Sequence, residues 1–238
     1  MNRIPKSGWL LAWALVPLLG GCATIHKSAD VGDLDKVGQL LEKGVAVDAR
    51  DEFGRTPLMW ATEDLDVVRY LADRGADIDA RDANGETALM KAAFVGSLDV
   101  VKYLVQRGAD VNVRSETGRT PLMRAAGDLD VTKYLVQQGA DVNAQDADGD
   151  TALRWAATFG NLGTVKYLVR RGADVNVQDN QGQTPLKWAR AYGHREVADF
   201  LEQERESASA SDDESRSPRP NAVAAKNRTG WLLAAEAR

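Results

Sequence analysis

Gly54-Arg55-Thr56-Pro57-Leu58, Gly85-Glu86-Thr87-Ala88-Leu89, Gly118-Arg119-Thr120-Pro121-Leu122, Gly149-Asp150-Thr151-Ala152-Leu153 and Gly182-Gln183-Thr184-Pro185-Leu186 are copies of one string, Gly-x-Thr-(Pro/Ala)-Leu. The glycines are separated by 31, 33, 31 and 33 residues. Each copy continues through an Ala-rich stretch and a Leu/Val-rich stretch to a closing Gly-Ala-Asp-(Val/Ile)-(Asn/Asp), as in Gly85 to Asn112 and Gly149 to Asn176. A fixed period of this length means that one supersecondary unit is copied along the chain.

The physics of a unit can be read from residues 85–114. Thr87 is a suitable N-cap, because its hydroxyl can accept from the unpaired amides of the following turn. Proline stands at the next position in three copies (Pro57, Pro121, Pro185), where a preset φ helps and the missing N–H is no loss. Leu89, Ala92 and Ala93 give a short first helix a small-residue face for close packing, and Gly96 lets the chain reverse. A second helix is expected from about Leu98, with Leu98, Val101, Leu104 and Val105 on one side. Gly108 supplies the left-handed residue that stops it, and equivalent glycines stand at 44, 75, 139 and 172. From Asp110 to the next Gly-x-Thr, apolar and polar residues alternate, as in an extended hairpin with a tight turn at Gly118. No unit can bury its own apolar face, so neighbours must stack.

The pattern resembles the ankyrin repeat. Thr56-Pro57-Leu58, Thr120-Pro121-Leu122 and Thr184-Pro185-Leu186 carry the resemblance, with Gly-Ala-Asp at 75–77, 108–110, 139–141 and 172–174. It implies an all-α repeat solenoid of helix-turn-helix units joined by β-hairpin loops, with about six repeats, near 22–50, 51–81, 82–114, 115–145, 146–178 and 179–203. The family has His after Thr-Pro-Leu, tying turn and neighbouring repeat together. Here that place holds Met59, Met90, Met123, Arg154 and Lys187, so the tie is expected to be absent. In the 31-residue copies two residues are missing between the helices, at Ala61 to Leu65 and Ala126 to Leu129. The alternation indicates duplication of a two-repeat unit and should leave every second inter-helix turn recessed.

Residues 1–21 read as a secretory signal. Arg3 and Lys6 precede an apolar run from Trp9 to Leu19, shorter than the ~20 residues of a spanning helix. The ending Leu19-Gly20-Gly21-Cys22 resembles the bacterial lipobox, which implies cleavage before Cys22 and acylation of its thiol. Ala23, where an Asp marks inner-membrane retention in lipoprotein signals, favours the periplasmic face of the outer membrane. Cys22 is the sole cysteine, so a chain sent to an oxidising compartment carries no disulfide. Ile25 to Leu34 aligns with Leu89 to Leu98, placing a first repeat directly after the anchor. At the other end, 204–238 is expected to be a disordered tail: Ser207 to Pro220 is rich in Ser, Asp, Arg and Pro. Trp231-Leu232-Leu233-Ala234 within it echoes Trp9-Leu10-Leu11-Ala12.

The formal charge is −5, and residues 22–203 alone carry −7. An acidic body without a basic stripe argues against nucleic acid. Only two histidines exist, His26 and His194, both at places where the family uses a structural His. With so few, no triad or His-based metal cluster can be assembled, and neither an enzyme, a small-molecule substrate nor a cofactor is expected. Asp146-Ala147-Asp148-Gly149-Asp150 resembles a calcium loop only slightly and lacks the downstream bidentate Glu, so no metal is expected.

The binding candidates lie on the expected concave face. Two places after the leucine of each string stand Trp60, Lys91, Arg124, Trp155 and Trp188, an aromatic and cationic row. Trp and Arg are enriched among binding hot spots. Phe94, Phe159 and Tyr192 add aromatic surface near the ends of inner helices, and Phe53 stands at a hairpin tip. The expected function is a lipid-anchored scaffold of the bacterial envelope that binds a protein partner by its concave face and hairpin tips. The alternatives are an immunity protein neutralising a secreted toxin in the periplasm, which is one form of that frame, and an envelope protein binding peptidoglycan or lipid, which lies outside it.

Overall fold

The computed structural model describes residues 24–216, with side chains described to residue 207. The signal, Cys22 and the segment around Trp231 therefore lie outside the described residues. Inner and outer helices alternate. The inner set is α1 (24–30), α3 (Pro57–Trp60), α5 (Ala88–Val95), α7 (Pro121–Arg124), α9 (Ala152–Phe159) and α11 (Pro185–Ala191). The outer set is α2 (Leu34–Glu42), α4 (Leu65–Asp73), α6 (Leu98–Gln106), α8 (Leu129–Gln137), α10 (Leu162–Arg170) and α12 (Arg195–Arg216).

Thr87, Thr120, Thr151 and Thr184 cap inner helices as expected, each hydroxyl accepting from the amide three residues on. Four outer helices begin on Asp33, Asp64, Asp128 and Asn161, whose side chains accept first-turn amides, while Ser97 before α6 makes no such bond. Gly108 has φ +98° just past the end of α6. A Cβ there would meet nothing within 4 Å, so glycine is required by the left-handed backbone and not by space.

The missing residues come entirely from the concave side. Helices α2, α4, α6, α8 and α10 all have nine residues, whereas α5 and α9 have eight and α3 and α7 only four. A 3₁₀ turn, Ala125–Gly127, finishes the shortened α7. The expected recesses thus exist, above α3 and α7. Long and short turns also interlock: a Cβ on Gly96 would sit 3.1 Å from the cap carboxylate of Asp128.

The expected extended hairpins are closed turns, and no strand occurs among the described residues. From the second tip on, one backbone amide of each tip donates to the preceding tip: Ala83 N–H to Phe53 O, Glu116 to Asn84, Ala147 to Thr117 and Asn180 to Asp148, at 2.8 to 2.9 Å. With one bond per neighbour, the chain cannot build a ladder. At the repeat ends Asn112 and Asn143 each bridge to the next repeat, accepting from Asp141 N–H and Asp174 N–H and donating to Gly139 O and Gly172 O.

In three of the five strings the missing histidine tie is replaced by packing. Met59, Met90 and Met123 are buried in the core. The two histidines do serve structure: His26 Nε2 donates to Ala49 O at 2.8 Å, and His194 Nε2 to Thr158 O at 2.9 Å. The tail expectation is corrected in its first part, because α12 continues past Glu204 to Arg216. No Gly or Pro interrupts the chain between Gly193 and Pro218, so nothing in the sequence stops that helix earlier.

One hydrophobic core runs the length of the stack, through Val37, Leu58, Leu71, Leu89, Leu104, Leu122, Leu135, Leu153, Leu168, Leu186 and Leu201. Leu104 is fully buried at its centre, so Leu104→Ala is expected to destabilise the fold by roughly 2 to 5 kcal/mol. Chemical denaturation of the variant checks this, and an unchanged midpoint would contradict the packing described.

Candidate functional site

The five residues of the expected row all lie on the inner helices, and all five are half-buried. Their surroundings differ. The Trp60 indole donates to Asp51 Oδ2 at 3.2 Å, and the Trp188 indole to Asp179 Oδ2 at 2.8 Å. In both, the acceptor is the residue that opens the hairpin, and its other oxygen receives backbone amides of the turn. The Arg55 guanidinium lies 4.1 Å from the centre of Trp60 and 4.7 Å from that of Phe53, linking groove to hairpin tip. Burial pushes the Asp51 carboxyl up, but hydrogen bonds from Arg55, Phe53 and Trp60 outweigh it and hold Asp51 below its ordinary range.

Trp155 breaks the pattern. Asp146 stands in the equivalent place, yet its Oδ2 faces Arg119 Nε at 3.6 Å, and the buried Trp155 indole N–H has no acceptor. Two guanidinium groups lie over its ring, Arg119 at 4.9 Å and Arg154 at 4.3 Å. Phe159 packs beside it, with ring centres 5.9 Å apart, as Tyr192 packs beside Trp188 at 6.0 Å.

Each of the two recesses holds a cavity. The first, about 320 Å³, lies over α3 and gathers Arg55, Trp60, Lys91, Phe94 and Arg124. The second, about 60 Å³, lies over α7 and is lined by Phe94, Arg119, Met123, Arg124, Trp155 and Phe159. The structure therefore brings Trp60, Lys91, Arg124, Trp155, Phe94 and Phe159 into one continuous groove. Trp188 belongs instead to a polar hollow with Arg154 and Asp179. Phe94, Phe159, Tyr192 and Phe53 are exposed large apolar side chains, Phe94 most of all at 63%.

Sequence reasoning missed the variable residue of the repeated string itself. Arg55, Glu86, Arg119 and Asp150 sit at the groove floor and make its ion pairs. Glu86 binds Lys91 at 3.1 Å and also Arg124 of the next repeat, and Asp150 binds Arg154 at 2.8 Å. A signal was present: the short copies carry Arg at this position and the long ones an acid. Burial lowers the Arg124 guanidinium from its ordinary value, against the opposing charge of Asp82.

In each of these pairs the cation faces the groove and the anion lies beneath it. Arg119 is 30% exposed over an Asp146 that is 1% exposed, and Lys91 is 22% exposed over an Asp82 that is 2% exposed. Long aliphatic stems allow this arrangement, carrying the charge outward while the carboxylate is fixed by backbone amides. Among the described residues, Asp146, Asp148 and Asp150 form an acidic group with ligand-like spacing. Asp146 Oδ1 is already committed to the amides of Asp148 and Asp150, and Asp150 to Arg154.

The ankyrin-repeat family description (three copies) matches residues 25–115, 78–146 and 127–212. The chain belongs to the ankyrin-repeat family, whose repeats form protein–protein interaction domains. A search of curated proteins found no match. No described helix is long and apolar enough to cross a membrane.

Asp150 has a measurable consequence. Burial raises its carboxyl from 3.8 to about 6, reinforced by Asp146, Asp179 and Asp148 and opposed by Arg154. The folded value is the higher one, so the stability contributed by protonation is complete below ~pH 4 and lost as pH rises through ~6. Relative to Asp150→Asn, the wild-type melting temperature is expected to fall between ~pH 4 and ~pH 7. A difference that stays constant across this window would contradict the burial-driven shift.

Proposed function

We propose that this protein is a non-catalytic interaction scaffold, anchored by lipid on Cys22 at the periplasmic face of the outer membrane, which binds a protein partner through its concave groove and hairpin tips. The observation that carries the reading is the half-buried row at Trp60, Lys91, Arg124 and Trp155, flanked by the exposed rings of Phe94 and Phe159. Apolar rings held in water next to fixed cations do not stabilise the solenoid, and a partner that covers them gains both burial and charge contacts. The anchor reading rests on the apolar run to Leu19, the Gly-Gly-Cys ending and Ala23.

Two experiments test it. Once the partner that co-purifies with the full chain is identified, Trp155→Ala is expected to weaken it by at least about 2 kcal/mol while the circular dichroism and melting of the variant stay near wild type. A Trp155 that serves only packing would lower stability and leave the affinity of the folded protein unchanged. For the anchor, Cys22→Ser is expected to abolish labelling by radioactive fatty acid and move the protein out of the salt-washed membrane fraction. Acyl chains contribute about 0.8 kcal/mol per buried CH₂, so surface charge cannot hide their loss. Persistent labelling and partitioning in the variant would contradict the lipoprotein reading.

A further inference from the structure

Three buried polar atoms crowd beneath the recess over α7 without a hydrogen-bond partner: Arg119 Nε, Asp146 Oδ2 and the Trp155 indole nitrogen. Arg119 and Asp146 face one another at 3.6 Å, too far for a hydrogen bond. At the two other row tryptophans the opening aspartate accepts the indole N–H, at 3.2 Å for Trp60 and 2.8 Å for Trp188. The difference traces to residue 115. There the hairpin opens on Ser115 in place of the Asp found at 51, 82, 146 and 179. Arg55 has Asp51 of its own repeat at 2.8 Å, but the corresponding Arg119 has only Ser115 and reaches forward to Asp146. Asp146 is thereby drawn away from its tryptophan, and each of the three groups is left half-served. Unsatisfied buried groups of this kind carry a penalty that a correctly shaped ligand can relieve.

We propose that the recess over α7 recognises an acidic side chain next to a bulky apolar one in the partner protein, an inference that rests on the groove-binding reading above. The incoming carboxylate pairs with Arg119, supplying the anion that Ser115 does not. Asp146 is then released to accept from the Trp155 indole, as its counterparts do at Trp60 and Trp188. The neighbouring apolar side chain lies between the exposed rings of Phe94 and Phe159. No carboxylate lines this recess, whereas two guanidinium groups do, so the charge complementarity is one-sided. The solenoid as a whole is acidic, −7 over residues 22–203, which disfavours docking of such a segment away from its cationic face. The larger recess over α3 contains Asp30, Glu63 and Glu86 among its lining and has no such preference.

The test is selection of a random dodecapeptide display library on the purified full chain in detergent, followed by titration of a selected peptide. The expected result is enrichment of Asp or Glu beside Phe, Trp, Leu or Met. Replacing that acid by its amide in the peptide is expected to weaken binding about tenfold, and so is Arg119→Gln in the protein. Lys102→Gln, which removes an exposed cation on the outer helix α6 away from the groove, should leave affinity unchanged. In a nitrogen-15 spectrum the Trp155 indole N–H, assigned by Trp155→Phe, should move downfield on binding as it gains its acceptor. The peptide amide variant leaves the protein intact, so a folding defect in Arg119→Gln cannot obscure the outcome. Peptides without acidic enrichment, an amide variant that binds as well, an indole signal that stays in place, or no selected peptide each overturns the proposal. Neutral or basic peptides whose binding is nevertheless lost in Trp155→Ala would leave groove binding standing and remove only the acidic preference.

Discussion

Everything in this molecule depends on the single backbone hydrogen bond that each hairpin tip donates to the one before it, at 2.8 to 2.9 Å, together with the leucines packed beneath it. A repeat of about thirty residues cannot close a core, so its apolar face and its spare amides are satisfied only by a neighbour in register. That requirement fixes the outer helices at nine residues in every repeat from α2 to α10. Length variation is then confined to the concave side, where α3 and α7 are four residues against the eight of α5 and α9. The 31/33 alternation is thus translated into two hollows in the groove without disturbing the stack.

The same constraint organises the charge. Hairpin-opening aspartates must serve the amides of their own turn, which fixes their carboxylates in place at the groove floor, as at Asp51, Asp82 and Asp146. Their cationic partners come from flexible Arg and Lys side chains and extend above them into the groove. An acidic protein consequently presents a locally cationic, aromatic surface on one face. Four tyrosines mark the opposite side of the stack, Tyr70, Tyr103, Tyr134 and Tyr167 on α4, α6, α8 and α10, partly buried against the core.

Backbone requirements were the most legible part of the sequence. Gly108 and its equivalents, the prolines and four of the five threonines express local rules from which helix starts and stops follow, Thr56 alone making no capping hydrogen bond. The row at Trp60, Lys91, Arg124, Trp155 and Trp188 was legible for the same reason, since equivalent positions in stacked repeats must point the same way. What could not be read was pairing between repeats. Arg124 with Glu86 and Arg119 with Asp146 depend on how far one repeat advances along the stack, which spacing within a repeat does not specify. The separation of Trp188 from the main groove has the same origin. The tail was misjudged for a different reason: Ser- and Asp-rich composition implied disorder, while the absence of any breaker before Pro218 lets α12 run on to Arg216.

The central claim is that the concave groove is the face that meets the partner. Hydroxyl-radical footprinting of the full chain, alone and with its co-purified partner, tests it most directly, because each face carries its own set of oxidisable aromatic side chains. The account predicts that the partner protects Phe94, Trp155 and Phe159 while the oxidation of Tyr70, Tyr103, Tyr134 and Tyr167 stays as in the free protein. Protection of the tyrosine row with Phe94 and Phe159 still fully reactive would contradict it.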